Sequence, residues 1–327
     1  MKALRCHSLD GIDALRVDDL PSPSSPGPGK VHLRIRAAGV NFADTLMVAG
    51  QYQDKPELPF TAGMEAAAEV VACGEGVAHV KPGDRVFALL GQGAFAEEAV
   101  ADAMQVAPLP PSMDFVTAAA FPIAYGTSHM ALVHRARLQA GESLVVHGAS
   151  GGVGLTAVEI GKKLGATVIA TGGSDEKLEV CREYGADHLI NYRREDVRER
   201  IKALTDRKGA NVVYDPVGGD VFDASLRAIA WEGRLVTIGY ASGRIPSIPA
   251  NLLLVKNCAV MGLYWGRYAQ RDPAPLMASL MELFGWYEEG ALKPRIGATF
   301  PLEQAAEGLR MLVDRKAVGK VVIEIPG

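Results

Sequence analysis

The hydrophobic rhythm of the chain changes near residue 120. Ahead of that point Val31, Leu33 and Ile35 alternate with His32, Arg34 and Arg36, which predicts a strand with one buried face. Residues 21–29 are rich in Pro, Ser and Gly and read as a loop. Lys81, Pro82, Gly83 and Asp84 form a turn that launches a strand over 85–89. Short strands separated by turns predict a small, barrel-like β-rich domain. From about Ile123 onward, apolar runs alternate with helical periodicity. Leu144, Val145 and Val146 suit a parallel strand covered on both faces. Val153, Ala157, Ile160 and Leu164 then recur at helical spacing, and a second strand ends at Thr171. Further strands are predicted at 188–191, 211–214, 233–239 and 259–265, with helices including 196–204 and 222–229. Six strands in this alternation make an α/β domain with a doubly wound parallel sheet. Past residue 273, Leu276, Leu280 and Leu283 mark an amphipathic helix, 302–313 a short helix and 321–325 a closing strand. That strand is expected to rejoin the first domain. The expected division is 1–122 with 268–327 for one domain, and 123–267 for a second domain inserted in it.

The turn after the first parallel strand carries candidate chemistry. It reads Gly148, Ala149, Ser150, Gly151, Gly152, Val153, Gly154. A glycine turn opening a helix aims unpaired backbone N–H groups and the positive end of the helix dipole at one spot, where a pyrophosphate fits. The G-x-G-x-x-G fingerprint of dinucleotide sites is met with alanine in the first position. An acidic residue about 20 positions on usually holds the ribose hydroxyls of NAD. Here that strand end is Thr171, followed by Gly172, Gly173 and Ser174, with no carboxylate. Lys177 follows in the next helix, and Tyr192, Arg193 and Arg194 follow the next strand. A hydroxyl, an ammonium and a phenol at that end suit a 2′-phosphate, so NADPH is expected in preference to NADH.

Composition narrows the picture further. The 327 residues are 48% hydrophobic, enough for about two cores. A net charge of -4 and no basic–aromatic stripe argue against nucleic acid or an anionic membrane as partner. No apolar run approaches the roughly 20 residues of a membrane span, and the start of the chain carries no secretory pattern. A cytoplasmic protein is the expectation. Cys6, Cys73, Cys181 and Cys258 are scattered, without the spacing of a disulfide framework or a zinc knuckle. The apolar stretch 252–265 ends in the expected sixth strand, at a sheet edge, and predicts a homodimer paired across a twofold.

Several ordered motifs together carry a family resemblance. They are A-A-G-V-N-F-A-D at 37–44, G-M-E-A-A-A-E-V at 63–70, K-P-G-D-R-V at 81–86, A-A-A-F-P at 118–122 and A-Y-G-T-S at 124–128. The glycine turn, N-Y-R-R-E-D at 191–196 and V-Y-D-P-V-G-G at 213–219 complete them. Over essentially its whole length the chain resembles the zinc-independent medium-chain dehydrogenase/reductases, in particular the NADPH:quinone oxidoreductases. The resemblance implies a GroES-like catalytic domain, an inserted Rossmann domain and a cleft between them. Zinc-dependent relatives carry Cys after G-V and His in G-H-E; this chain has Asn41 and Met64 there. Without those ligands, and with its histidines unclustered, no catalytic metal is expected.

The implied activity is NADPH-dependent hydride transfer to a quinone. The alternative is reduction of an activated C=C bond in an enone, 2-haloacrylate or enoyl-thioester. Either way the acceptor is a small molecule already activated, and hydrogen-bond donors must stabilise charge developing on its oxygen. The catalytic candidates are Asn41, Tyr52 and Asp44. Asn41 donates to a substrate oxygen, anchors the cofactor or only caps a turn. Tyr52 donates a hydrogen bond or proton, or lines the pocket. Asp44 either joins the chemistry or caps the helix that follows. Many relatives have Tyr where this chain has Leu46, which puts weight on Tyr52. The implied cofactor contacts are Asn41, Thr127, Ser150, Gly151, Gly152, Val153, Gly173, Ser174, Lys177, Tyr192, Gly239, Tyr240, Leu263 and Lys320, the last expected to face a cofactor phosphate.

Overall fold

The computed structural model describes residues 1–326. Its first strands and helices are β1 (Lys2–Cys6), β2 (Leu15–Asp19), β3 (Lys30–Val40), α1 (Phe42–Val48), β4 (Phe60–Thr61), β5 (Glu65–Cys73), β6 (Arg85–Leu89), β7 (Glu98–Asp102), β8 (Val106–Pro108) and α2 (Phe115–Ala119). There follow α3 (Pro122–His129), β9 (Ser143–Val146), α4 (Gly152–Lys163), β10 (Thr167–Gly172), α5 (Asp175–Glu183), β11 (His188–Asn191), α6 (Val197–Leu204), β12 (Ala210–Asp215), α7 (Gly219–Arg227) and β13 (Ile229–Thr237). The remainder is α8 (Ala250–Lys256), β14 (Ala259–Gly262), α9 (Trp265–Arg271), α10 (Pro273–Glu288), β15 (Ile296–Pro301), α11 (Ala305–Val313) and β16 (Lys320–Glu324).

Two compact units result, Met1–Pro122 with the C-terminal segment from Pro294, and Ile123–Lys293. In the first, a sheet runs β15-β16-β3-β5-β6-β8, with β7 also on β3, and a smaller sheet runs β2-β1-β4. Val31, Leu33 and Ile35 are buried as their alternation predicts, and Arg34 faces solvent. His32 departs from the pattern. It is buried, and its Nε2 lies 3.1 Å from Oε2 of Glu98 on the neighbouring strand β7. The closing strand β16 lies antiparallel to β3, pairing Val321 with Val40.

The second unit holds a parallel sheet in the order β11-β10-β9-β12-β13-β14. The order reverses direction beside β9, and such a switch point opens a crevice at the carboxyl ends of the strands. Gly161 of α4 keeps the helix close to the sheet, since a Cβ there would stand 2.5 Å from Leu144 Cδ2. Two expectations are corrected. The chain returns to the first unit at Pro294, not at 268. Helix α10 stays with the second unit because Leu276, Leu280 and Leu283 are buried, and its Ser279 lies 2.9 Å from His129 Nδ1 at the end of α3. The sixth strand, expected over 259–265, stops at Gly262, and Trp265 opens α9. Ahead of it, residues to Lys256 are helical, Asn257 turns at φ 49°, and β14 has four residues. No helix among the described residues is long and apolar enough to cross a membrane.

Candidate functional site

In the second unit the sequence-predicted cofactor residues gather at the carboxyl edge of the parallel sheet. From β9 the chain passes through His147–Gly151 into α4. Gly148 sits at φ 56°, a conformation that strains any other L residue. The first bond of α4 runs from the Leu155 N–H to the Gly151 carbonyl at 2.8 Å. The amides of Gly152, Val153 and Gly154 therefore have no intrahelical acceptor, and with the helix dipole they form an anion cradle. Gly154 is required by space: a Cβ there would stand 2.2 Å from the Gly148 carbonyl oxygen. His147 braces the turn from beneath, with Nδ1 2.7 Å from Thr171 Oγ1 and Nε2 2.7 Å from Ser225 Oγ. Burial lowers the pKa of this imidazole and keeps it a neutral strut.

The end of β10 is shaped by β11. A side chain at Gly173 would stand 2.9 Å from Tyr192 Oη and 3.1 Å from Arg193 Nε. The Tyr192 phenol and the Arg193 guanidinium thus converge on a backbone position that carries no side chain. Ser174 caps α5, accepting from the Lys177 N–H at 3.5 Å. Burial lowers the pKa of the Lys177 ammonium. Arg194 pairs with Asp175, so Arg193 is the arginine turned toward Gly173. Arg193 is missing from the sequence-derived site because its neighbour Arg194 has the same charge and only packing separates them.

The other second-unit positions are held by backbone. Asp215, fully buried at the end of β12, accepts from the Val217 and Gly218 amides at 2.8 and 3.0 Å. This explains the D-P-V-G order in the motif. The loop bearing Gly239 and Tyr240 is pinned to that turn, Ala241 N–H bonding the Pro216 carbonyl at 3.1 Å. Leu263 N–H bonds the Thr237 carbonyl at 3.1 Å. Thr127 lies on α3 beside Ser128, whose hydroxyl donates to the Val153 carbonyl at 2.8 Å and so ties α3 to the first turn of α4.

In the first unit Asn41, Asp44 and Lys320 come together, and Glu65 joins them. All four are buried. The Lys320 ammonium donates to the Val40 carbonyl at 3.0 Å, to Asn41 Oδ1 at 2.8 Å and to Glu65 Oε1 at 2.9 Å. Asn41 Nδ2 donates to the same Glu65 oxygen at 2.9 Å. An ammonium has three hydrogens, and here all three have protein acceptors. Lys320, implied by the resemblance to face a cofactor phosphate, is here half of a buried ion pair with Glu65. Glu65 escaped sequence reading because period-two alternation puts it on the same strand face as the part-exposed Glu69. Tyr52 lies half-buried in the segment after α1.

Asp44 occupies the capping position that is one of its two expected roles. It is fully buried, and its Oδ2 accepts the Asn41 backbone N–H at 2.7 Å, which caps α1. Its Oδ1 has no hydrogen-bond partner. Burial raises its pKa from 3.8 to about 7, against the smaller opposing effects of the Asn41 N–H and Lys320. A raised acid favours the folded state at low pH, and that stability is lost as pH climbs from about 4 to about 7. Asp44→Asn keeps the acceptor and removes the titration. Its stability relative to the parent protein is expected to rise by up to about 4 kcal/mol between pH 4 and pH 8. Urea unfolding at both pH values measures the difference, and a pH-independent gap would count against the assignment.

Residues 27–111 match the family described as alcohol dehydrogenase GroES-like domain, and residues 152–282 the family described as zinc-binding dehydrogenase. The chain is 42% identical over 324 residues to quinone oxidoreductase-like protein 2 homolog of Nematostella vectensis, covering 98% of this chain and 88% of that protein. It belongs to the quinone oxidoreductase family of the medium-chain dehydrogenase/reductases. Escherichia coli quinone oxidoreductase complexed with NADPH superposes with a TM-score of 0.92 at 31% identity, covering 99% of this chain and 100% of that one. CurK enoyl reductase superposes at 0.90 with 28% identity, covering 99% of each chain. Membership makes the chain an oxidoreductase with the α/β and GroES-like parts that its sequence predicts. Among the described residues no three His, Cys, Asp or Glu side chains gather as a metal site.

Proposed function

We propose that this oxidoreductase uses NADPH and delivers hydride to a quinone. The observation that carries the cofactor choice is the carboxylate-free end of β10, where Gly173 lies under Tyr192 Oη and the Arg193 guanidinium, with Lys177 in the following helix. The nearest carboxylate in the chain, Asp175, is engaged by Arg194 and the Asn191 amide, so a ribose 2′-hydroxyl would have no free acidic partner from β10, whereas a 2′-phosphate would find cationic and hydroxyl donors. The cradle of Gly152, Val153 and Gly154 amides would hold the pyrophosphate, with Ser150 and Gly151 in the same turn. Bound NADPH would supply the hydride. The chain would exclude water, orient both reactants and offer donors to the acceptor oxygen, with Asn41 and Tyr52 as the proposed donors.

The likeness to an enoyl reductase favours a second reading, reduction of an activated C=C bond. In either case the acceptor takes up a hydride and a proton, so the two share a cofactor and differ in pocket. Steady-state rates with NADPH and NADH, each against a benzoquinone and a crotonyl thioester, separate them. The expected result is kcat/KM at least tenfold higher with NADPH, with the quinone as the faster acceptor. A faster thioester would move the assignment to the second reading, and inactivity on both would remove both.

A further inference from the structure

The buried Lys320–Glu65 pair is not needed to hold its two strands. β16 and β5 are each paired to β3 by backbone bonds. A buried ion pair is weak support for stability but can fix one arrangement among several. We infer that Lys320 and Glu65 are positioning residues whose opposite charges dictate which way the Asn41 side-chain amide faces. This rests on the proposal that Asn41 meets an oxygen of the cofactor or acceptor.

A primary amide is nearly symmetric in shape, and its orientation follows from its hydrogen-bond partners. Lys320 can only donate and an ionised Glu65 can only accept. With Oδ1 2.8 Å from Lys320 Nζ and Nδ2 2.9 Å from Glu65 Oε1, the amide has one permitted orientation. Turning it over would set NH2 against an ammonium and a carbonyl oxygen against a carboxylate. Two charge-assisted bonds would become two repulsions.

Sequence and packing hold this arrangement closely. The pairing of Val321 with Val40 sets Lys320 beside Asn41. Gly39 leaves the room, since a Cβ there would stand 2.5 Å from Glu65 Oε1 and 2.1 Å from the Ala119 carbonyl oxygen. One amide hydrogen of Asn41 is taken by Glu65. The other has only the Gly39 carbonyl at 3.4 Å, at the far limit of a hydrogen bond. That second hydrogen is the one presented to a ligand oxygen. The Lys320 ammonium on Oδ1 also polarises the amide and strengthens it as a donor. A neutral amide thereby carries the influence of a cation that has no free hydrogen of its own.

The test uses the full chain. Either single change would leave a buried charge unpaired and disturb folding, so the variant is Glu65→Gln with Lys320→Met, which removes both charges at similar volume. The sequence has five asparagines, so selective 15N-asparagine labelling gives five side-chain amide pairs. Asn41→Leu assigns the one of interest. In the parent protein the two Asn41 protons should be well separated, with only the Glu65-bonded one protected from exchange. In the double variant they should converge and both exchange quickly. Acceptor kcat/KM should fall at least tenfold.

Equal exchange of the two protons in the parent protein would overturn the inference, whatever the variant does. A folded double variant with parental resonances and activity within threefold would also overturn it. A parent protein that neither binds NADPH nor turns over would defeat the functional reading while the exchange measurement still judges the positioning.

Discussion

Gly154→Ala is expected to weaken NADPH binding at least tenfold. The added Cβ would sit 2.2 Å from the Gly148 carbonyl oxygen and 2.8 Å from Ala149 Cα. Both are backbone atoms of the turn, so no rotamer change relieves the clash. The first turn of α4 must lift from the glycine turn, and the amides of Gly152 and Val153 then lose their common focus. Overpacking at a rigid contact costs about 1–3 kcal/mol, so unfolding should also come earlier. Gly161→Ala on the same helix separates the two effects. Its Cβ would meet Leu144 Cδ2 at 2.5 Å and Val168 Cγ2 at 3.1 Å, which are side-chain atoms on the sheet. That variant should lose stability while a fluorescence titration gives NADPH affinity within threefold of the parent protein. Parental affinity in Gly154→Ala would show that the turn does not hold the pyrophosphate.

Cofactor preference should collapse when the cationic side chains of Lys177 and Arg193 are removed. Hydrogen bonds to charged groups contribute about 1.5–3 kcal/mol, or roughly tenfold to a hundredfold each. Lys177→Met with Arg193→Met should therefore lower kcat/KM for NADPH by about a hundredfold or more. The value for NADH, which has no 2′-phosphate, should change less than threefold. Burial lowers the pKa of Lys177, and an incoming dianion favours the charged form and offsets that burial. An equal fall with both cofactors would mean that the two side chains support the fold of this edge and do not read the phosphate.

The sequence carried the nucleotide-binding half well because its signals are local. The run at Leu144–Val146, the glycines that follow and the helical spacing of Val153, Ala157 and Ile160 lie within one strand–turn–helix unit. Each is satisfied by neighbours in the chain. Boundaries that depend on packing came out differently. Helix α10 is amphipathic wherever it docks, and only the burial of Leu276, Leu280 and Leu283 and the approach of Ser279 to His129 assign it to the second unit. Likewise the sixth strand is expected to reach 265, yet it stops at Gly262 and Trp265 opens α9.

The first-unit cluster shows the limit most clearly. Lys320 lies 279 residues from Asn41 and 255 from Glu65, and no spacing rule relates side chains so far apart. The pairing of β16 with β3 puts the lysine next to Asn41, and burial then requires every hydrogen of its ammonium to find an acceptor. The same burial makes Asp44 a cap with a raised pKa. By itself the sequence determined the α/β order, the glycine turn and the absence of a carboxylate over 171–174, because those follow from backbone conformation and residue type at short range. Tertiary structure alone decided that Lys320 answers Glu65 and Asn41, and that Arg193, not Arg194, faces Gly173. Those outcomes depend on strand register and on which charges are removed from water.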